Sequence, residues 1–480
     1  MIKNFIKIIS LLLLIVSGTL IIPITVALIY KEYSCVKAFV IPMIVVVILS
    51  SIFLVIFRKT KVNLSIRSNF AITACCWIFS SLLGSIPLFL SGYFPSFTDA
   101  FFESVSGFTT TGATILSNVE ILPISINVWR CQMHWLGGMG IVALTVALLP
   151  LLGVGGFQLI KAETTGPEKS KMTAKITMTA KILWFIYLGL TVIEFICLLI
   201  AGMSVVDALC YSFSTLGTGG FATKNASIAA YNSVAIEWII CIFMILAGIN
   251  FSLYFYLLTG KIRDIFRNTE FKAYIGILVT SVILITVFIL PQTGNIKDAI
   301  RLASFQTAAI MSTSGFATAD YEIWLPAAQL VLFFLMFVGG SSGSTSGGVK
   351  VVRWVILGKQ MHNEAKRMLH PHGVFSVRLN GEIGRKDVIF NVAAFFFLYF
   401  MLVVFTSFVV AASGVDILTS FTTALSTVGN IGPGFGLIGP TENMGFFADG
   451  VKWWLCFAMI AGRLELYTML LFLFPEYWKK

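Results

Sequence analysis

Charge is what this chain has least of. Only 11% of its 480 residues are Asp, Glu, Lys or Arg, against 58% hydrophobic, and the mean hydropathy is +0.92. A soluble domain could not hide that much apolar surface, which leaves a polytopic membrane protein. The eight cysteines (Cys35, Cys75, Cys76, Cys131, Cys197, Cys210, Cys241, Cys456) lie mostly in or beside apolar runs with no CxxC pairing, so they read as small core hydrophobes rather than redox or zinc ligands. Histidine is scarce too. His362, His370 and His372 share one polar stretch and read as solvated loop residues. There is no GxxxxGK[ST] phosphate loop, carboxylate pair or metal cluster, so nothing argues for an enzyme. The longest polar segment, 350–386, reads as a cytoplasmic loop and is too short for an independent domain. Lys3 and Lys7 precede an apolar run that reaches Tyr30 without a small-residue cleavage site, so that run reads as a transmembrane helix and not a cleaved leader.

What is present is repetition. Apolar runs near 20 residues, enough to cross a bilayer, recur along the whole chain. Four polar stretches lie between them: TTTGAT (Thr109 to Thr114), GTGGFAT (Gly217 to Thr223), STSGFAT (Ser312 to Thr318) and NIGPG (Asn430 to Gly434). Their glycines, Gly112, Gly220, Gly315 and Gly432, are 108, 95 and 117 residues apart. Each stretch follows an apolar segment too short to span. Four copies of one re-entrant loop can surround a single axis and replace the hydration shell of a cation with backbone carbonyls. Irregular backbone survives at membrane depth only where it lines such a cavity. A glycine lets successive carbonyls turn to the same side. The residues expected to line the filter are Thr110, Thr111 and Gly112; Thr218, Gly219 and Gly220; Thr313, Ser314 and Gly315; and Asn430, Ile431 and Gly432.

The expected fold is an all-α polytopic membrane protein: two N-terminal transmembrane helices, then four pseudo-symmetric repeats of helix, re-entrant pore helix, filter loop and helix. The helices are placed near 8–30 and 36–57; 69–91, 97–109 and 128–152; 180–202, 206–216 and 233–258; 271–290, 298–312 and 326–357; and 387–412, 416–427 and 450–474. The units are then 1–60, 61–160, 161–265, 266–386 and 387–480. Thr98 or Asp99, Asp207, Asp298 and Asp416 are the expected caps of the pore helices. The pore-helix C-termini would aim their negative dipole ends at the common cavity.

The net charge of +11 would suggest nucleic acid in a soluble protein, but its distribution here points to the lipid bilayer. With a cytoplasmic N-terminus and re-entrant half-helices, 25 of the 33 Lys and Arg fall on the inner side. Seven (Lys31, Lys37, Arg130, Lys224, Lys297, Arg301, Lys452) fall outside, and Arg463 lies within a span. This is the positive-inside pattern, and it holds only if the four half-helices do not cross.

At these residues the chain strongly resembles the Trk/Ktr/HKT superfamily of potassium transporters. The likeness extends to HWLGGMGIVAL (His134 to Leu144), the run Gly339 to Gly348, NIGPG, and AGRLE (Ala461 to Glu465), and the two extra N-terminal helices look like the bacterial TrkH type. The resemblance implies potassium as the bound and transported ion, and Gly112 in the first repeat implies selectivity for it. It further implies a homodimer, a cytosolic nucleotide-binding regulatory subunit (TrkA-like) on the cytoplasmic face, and a bacterial inner membrane location with both termini cytoplasmic. His134 stands where glutamine is more usual, a departure expected to touch only the helix outside the filter.

Two features suggest a gate. GGSSGSTSGG (Gly339, Gly340, Ser341, Ser342, Gly343, Ser344, Thr345, Ser346, Gly347, Gly348) interrupts an apolar run, and five glycines cost helical continuity roughly 1 kcal/mol each. The resemblance implies an intramembrane loop beneath the filter, with Lys350 at its end. Arg463 is basic deep in a span, a placement costing roughly 2.5–3.5 kcal/mol that demands compensation. It is expected to face the pore, where its charge would oppose a cation, or to pair with Glu465 or a backbone carbonyl. The expected function is thus a potassium-selective translocation subunit for cellular uptake. A sodium- or proton-coupled symporter is the alternative, with Glu103, Glu194 and Glu237 as sparse buried acids best explained by interfacial solvation. An intramembrane enzyme on lipid-linked substrate is a remote one.

Overall fold

Lipid offers the backbone no hydrogen bonds, so the apolar runs fold as helices that satisfy their own. The computed structural model describes residues 2–60, 66–138, 140, 176–383 and 386–479. Six of its helices are long and apolar enough to span a membrane: Lys3–Ile29, Tyr33–Ile56, Ser68–Leu90, Met178–Ile200, Thr269–Thr293 and Val388–Ala411. The first two are the N-terminal pair; the other four open the four repeats. Each repeat then dips into a pore helix: Phe97–Phe108, Val205–Gly217, Ile296–Met311 and Ile417–Gly429. The longest has 16 residues, more than expected but still short of a span.

Their caps differ from expectation in three of four repeats. Ser96 and Ser204 accept from the backbone N–H of Asp99 and Asp207, and Asn295 accepts from Lys297. Asp99 and Asp207 occupy the third helical position, where each accepts from the capping serine hydroxyl at 2.9 Å. The acid thus bonds the capping hydroxyl itself, not the cap's backbone N–H that the acid of a capping box would reach. Only Asp416 is itself the cap, accepting from Thr419.

The second helices depart furthest from expectation. Repeat two's is not continuous over 233–258: Val234–Ala247 and Phe251–Leu258 meet at 95° around Gly248, Ile249 and Asn250. Repeat three's breaks as expected, between Pro326–Leu335 and Val351–Leu369. The latter helix takes up much of the segment read as a cytoplasmic loop, and a small hairpin of Arg378–Leu379 and Glu382–Ile383 follows it. Repeat four's ends at Arg463, because Glu465 and Leu466 turn left-handed (φ 54° and 61°). In repeat one Ile124–Gly138 is described; the expected continuation to 152 and the boundary at 160 lie outside the described residues.

The N-terminal pair packs on repeat one and completes it. Glu32, between the two helices, accepts from Ile124 N (2.7 Å) and Ser125 N (3.1 Å), capping the second helix of repeat one from outside. Gln132 of that helix donates to the Thr19 carbonyl.

The acids expected at solvated helix ends are instead buried. Glu103 on pore helix one pairs with Arg130 at 2.6 Å, both almost wholly enclosed. Arg301 on pore helix three pairs with Glu237 of repeat two at 2.8 Å, and Lys452 of repeat four with Asp99 of repeat one at 2.6 Å. Glu194 is fully buried, and neither carboxylate oxygen finds a hydrogen-bond partner. Three of the seven outer-side basic residues thus tie pore helices to second helices.

Removing one partner of an enclosed pair strands the other charge, at a cost of about 3–5 kcal/mol. Glu103→Ala should lower the thermal midpoint of the detergent-purified protein markedly, and Glu103→Leu with Arg130→Met should recover most of the loss. Equal losses in both variants would show that the pair's charges are not what matters.

Candidate functional site

The four pore helices end alike. In each, the residue after the last turn takes a left-handed conformation: Thr110 (φ 55°), Thr218 (55°), Thr313 (58°) and Asn430 (53°). The next amide reaches back five residues, from Thr111 to Ser106, Gly219 to Ser214, Ser314 to Ala309 and Ile431 to Ser426, each at 2.9 Å. This is the six-to-one bond of a Schellman ending. It normally recruits glycine. A β-branched threonine there is strained and persists only where its surroundings hold it.

One residue further on, Gly112, Gly220, Gly315 and Gly432 are again left-handed, with φ of 78°, 81°, 71° and 100°. What surrounds them closes a ring. A Cβ on Gly112 would strike the carbonyl oxygen of Gly219; on Gly220, that of Ser314; on Gly315, that of Ile431; on Gly432, that of Thr111. Every one of these approaches is 2.8 Å or less. Each repeat therefore abuts the next, and the fourth returns to the first. All four glycines also line one outer cavity of about 140 Å³, which carries Lys224, Asn225 and Glu442 at its rim. Eight of the twelve residues expected to form the filter meet in these four contacts, and the other four (Thr110, Thr218, Thr313, Asn430) each directly precede one of them.

A layer of polar contacts holds the strands from behind. Thr109 and Thr111 share a hydroxyl bond of 2.8 Å, and Ser312 and Ser314 repeat it. Asn430 spans two repeats, donating to Thr111 Oγ1 (2.9 Å) and the Met459 carbonyl (3.0 Å). Glu103 accepts from Thr114 Oγ1 and Ile115 N, so the Arg130 pair also fixes the strand leaving filter one. Tyr321 donates to the Gly434 carbonyl at 2.7 Å. In the outer loop Glu322 accepts from Gly436 N at 2.5 Å; burial raises its carboxyl above the ordinary range, and that amide opposes the rise.

His134 departs from its expected place. It does not sit outside the filter. Its Nδ1 lies 2.9 Å from the Gly107 carbonyl, and its Nε2 accepts the Phe221 N–H at 3.2 Å. An acceptor role at Nε2 places the single proton on Nδ1. The ring fills the space that a Cβ on Gly219 would need. Its signal was present in sequence as a polar residue on a buried helix face, but only the tertiary fold shows that the face meets filter two.

Beneath the ring lies the glycine-serine loop. Gly347 N donates to Thr313 Oγ1 at 2.7 Å, and a Cβ on Gly347 would come within 2.6 Å of the Gly429 carbonyl. The break in repeat two receives the loop: Ser341 N donates to the Gly248 carbonyl (2.9 Å), Thr345 Oγ1 to that of Ala247 (3.2 Å), and Phe251 N to that of Gly343 (3.0 Å). The loop's two ends are stitched by Gly339 N to the Val349 carbonyl and Val351 N to that of Gly340. Lys350 is buried and donates to the Ser346 carbonyl. Ser344 bonds back to the Ser341 carbonyl, while the hydroxyls of Ser342 and Ser346 have no partner and Gly348 packs on Gly339.

Arg463 joins loop and filter. Its guanidinium donates to the Thr345 carbonyl (2.9 Å), Thr110 Oγ1 (3.0 Å), and the carbonyls of Gly137 (2.7 Å) and Gly138 (2.9 Å). Those carbonyls offset the cost of its depth. Glu465 is not its partner; it pairs with Arg353 at 2.6 Å, and Arg353 also stacks over Phe395.

A ring of backbone carbonyls at membrane depth, closed by four re-entrant loops and underlain by a broken helix, defines a transmembrane cation-translocation protein. Over residues 36–480 the chain matches the TrkH family, described as cation transport protein, and it belongs to that family. It is 38% identical to the Trk system potassium uptake protein TrkH of Salmonella typhimurium over 99% of each chain. It is 39% identical to that of Halomonas elongata, over 100% of this chain and 99% of that one. The crystal structure of the potassium transporter TrkH from Vibrio parahaemolyticus superposes with a TM-score of 0.89, at 35% identity and covering both chains completely.

If His134 holds filter two, His134→Leu should lower potassium-over-sodium discrimination by about tenfold, the equivalent of ~1.4 kcal/mol. His134→Gln, which keeps a donor and an acceptor, should stay near the parent. Isotope uptake into liposomes measures both, and an unchanged ratio in the leucine variant would remove His134 from the filter's support.

Proposed function

We propose that this chain is the potassium-conducting subunit of a Trk-type uptake system. The observation that carries the reading is the closed ring in which each filter glycine abuts a carbonyl of the next repeat. A dehydrated potassium ion would be the cargo, held by the carbonyls of the strands at Thr110 to Gly112, Thr218 to Gly220, Thr313 to Gly315 and Asn430 to Gly432. Pore-helix C-termini add their negative dipole ends. Selectivity follows from the size of the carbonyl cage or from the field of its dipoles. The four repeats divide at 61–160, 161–265, 266–386 and 387–480, with the N-terminal pair outside the ring.

Below the ring, residues Gly339 to Gly348 with Lys350 and Arg463 form the gate. The loop touches filters three and four, and Arg463 ties it to filter one, so it obstructs the axis from below. Opening needs the loop to withdraw, and a fixed guanidinium near the path raises the barrier to a cation in low dielectric. The protein sits in a bacterial inner membrane with both termini cytoplasmic, forms a homodimer, and takes a TrkA-like nucleotide-binding partner on its basic cytoplasmic face.

In liposomes under opposed gradients, potassium and rubidium flux should far exceed sodium flux. Gly315→Ser, which drives a side chain toward the Ile431 carbonyl, should reduce that preference by about tenfold or more. Equal fluxes of all three ions through the parent protein would end the potassium reading. Arg463→Ala should raise potassium flux several-fold without altering ion preference, because it removes both the tether and the charge. A fall in flux from well-folded protein would make Arg463 a structural residue only.

A further inference from the structure

One buried carboxylate that neither the filter nor Arg463 uses sits where it can control the loop. Glu270 lies at the second position of helix Thr269–Thr293 and is 4% exposed. A single oxygen, Oε1, accepts from Ser342 N at 2.6 Å and from Val352 N at 3.1 Å. These two amides bracket the loop, one near its start and one just past its end. Val352 N is among the first amides of helix Val351–Leu369, which have no partner within the helix. Lys350, the capping residue there, makes no side-chain cap. Glu270 therefore caps that helix from another element.

The neighbour of Glu270 reaches the cytoplasmic hairpin. Asn380 Oδ1 accepts from Thr269 N at 2.8 Å, and Thr269 Oγ1 accepts from Asn380 N at 3.2 Å. Asn380 and Gly381 form the hairpin's tip with φ of 51° and 90°, the left-handed pair of a tight two-residue turn. Lys359 of helix Val351–Leu369 donates to the Arg378 carbonyl at 2.7 Å, and Leu379 packs with Val352 and Ile356. The exposed hairpin tip is thus joined, through one reciprocal pair and one peptide unit, to the carboxylate that holds Ser342 within the loop and Val352 just beyond it.

We propose that Glu270 is a positioning residue of the gating loop, and that the Thr269–Asn380 pair couples it to the cytoplasmic hairpin, so that a displacement of the hairpin changes how firmly the loop is held. This rests on the gate reading above, yet its test does not depend on it. The measurement is amide hydrogen exchange across residues 340–352 of the purified full-length protein, with potassium flux in liposomes beside it, for Glu270→Ala, Glu270→Gln and Asn380→Ala. Glu270→Ala should speed exchange in that segment about tenfold and raise flux with ion preference unchanged. Glu270→Gln keeps an acceptor oxygen and should lie near the parent, which a loss of general packing would not predict. Asn380→Ala, far from the pore, should change exchange in the same direction by a smaller factor.

Unchanged exchange in Glu270→Ala would overturn the role of Glu270. Faster exchange in Glu270→Ala but not in Asn380→Ala would overturn the coupling to the hairpin. Faster exchange without added flux would uphold Glu270's hold on the loop and refute the loop as the gate. If the alanine variant does not fold, the glutamine and Asn380 variants still decide: parent-like exchange in Asn380→Ala refutes the coupling.

Discussion

A carbonyl oxygen that is to hold a dehydrated ion must keep a lone pair turned to the axis, at membrane depth, where an unpaired polar group is costly. Most of this structure answers that one constraint. The strands at Thr111, Gly219, Ser314 and Ile431 spend their amides inward, on the pore helices, through the five-residue backward bond. Their carbonyls are then left to meet the neighbouring repeat's glycine. A side chain at that glycine would close the ring against itself. The left-handed threonines before it are a strained consequence, acceptable because four repeats and a surrounding polar layer leave the backbone no alternative.

That polar layer explains why charges are buried in so apolar a protein. A strand with no hydrogen bonds to a neighbouring strand has to be located by side chains. Glu103 with Arg130, Asn430 and His134 each join elements from different parts of the chain at a filter strand. Asp99 with Lys452 and Glu237 with Arg301 link pore helices to second helices across repeat boundaries. In a buried pair the attraction roughly repays desolvation, so such pairs are weak evidence for stability. What they contribute here is position: Asp99 and Arg301 anchor the early turns of pore helices one and three, and Glu103 holds the strand that leaves filter one.

The repeat and its register were legible in sequence because they rest on local rules. A half-length apolar helix, a small polar run and a glycine at a fixed offset specify the Schellman ending wherever they occur. The caps lie about three residues before the expected acids, because Ser96, Ser204 and Asn295 are themselves capping types and each has an acid three residues on. The breaks in repeats two and four were not legible. Gly248 and the capping residue Asn250 are too short a signal to outweigh the apolar run around them, and Arg463–Leu466 contains no glycine. Those helices break because tertiary partners reward it: the Ala247 and Gly248 carbonyls receive the loop, and Glu465 turns to meet Arg353. His134 was undervalued for the same reason, since its worth lies in what faces it.

The contrast between ring and loop is also one of rigidity. The filter strands are held by contacts from every side and by mutual closure, so displacing one requires displacing all. The glycine-serine loop is instead held at a few discrete points: Arg463 on Thr345, Lys350 on Ser346, Thr313 on Gly347, the broken helix of repeat two, and Glu270 on Ser342 and, just beyond the loop, on Val352. Each such bond contributes on the order of 1–3 kcal/mol, so losing one or two is within the energy a bound partner can supply. Glycine-rich backbone gains the most entropy on release, which narrows the gap between held and released states further. The loop's glycines and small hydroxyl side chains, unhelpful to any packed core, are what allow it to sit tightly beneath the ring.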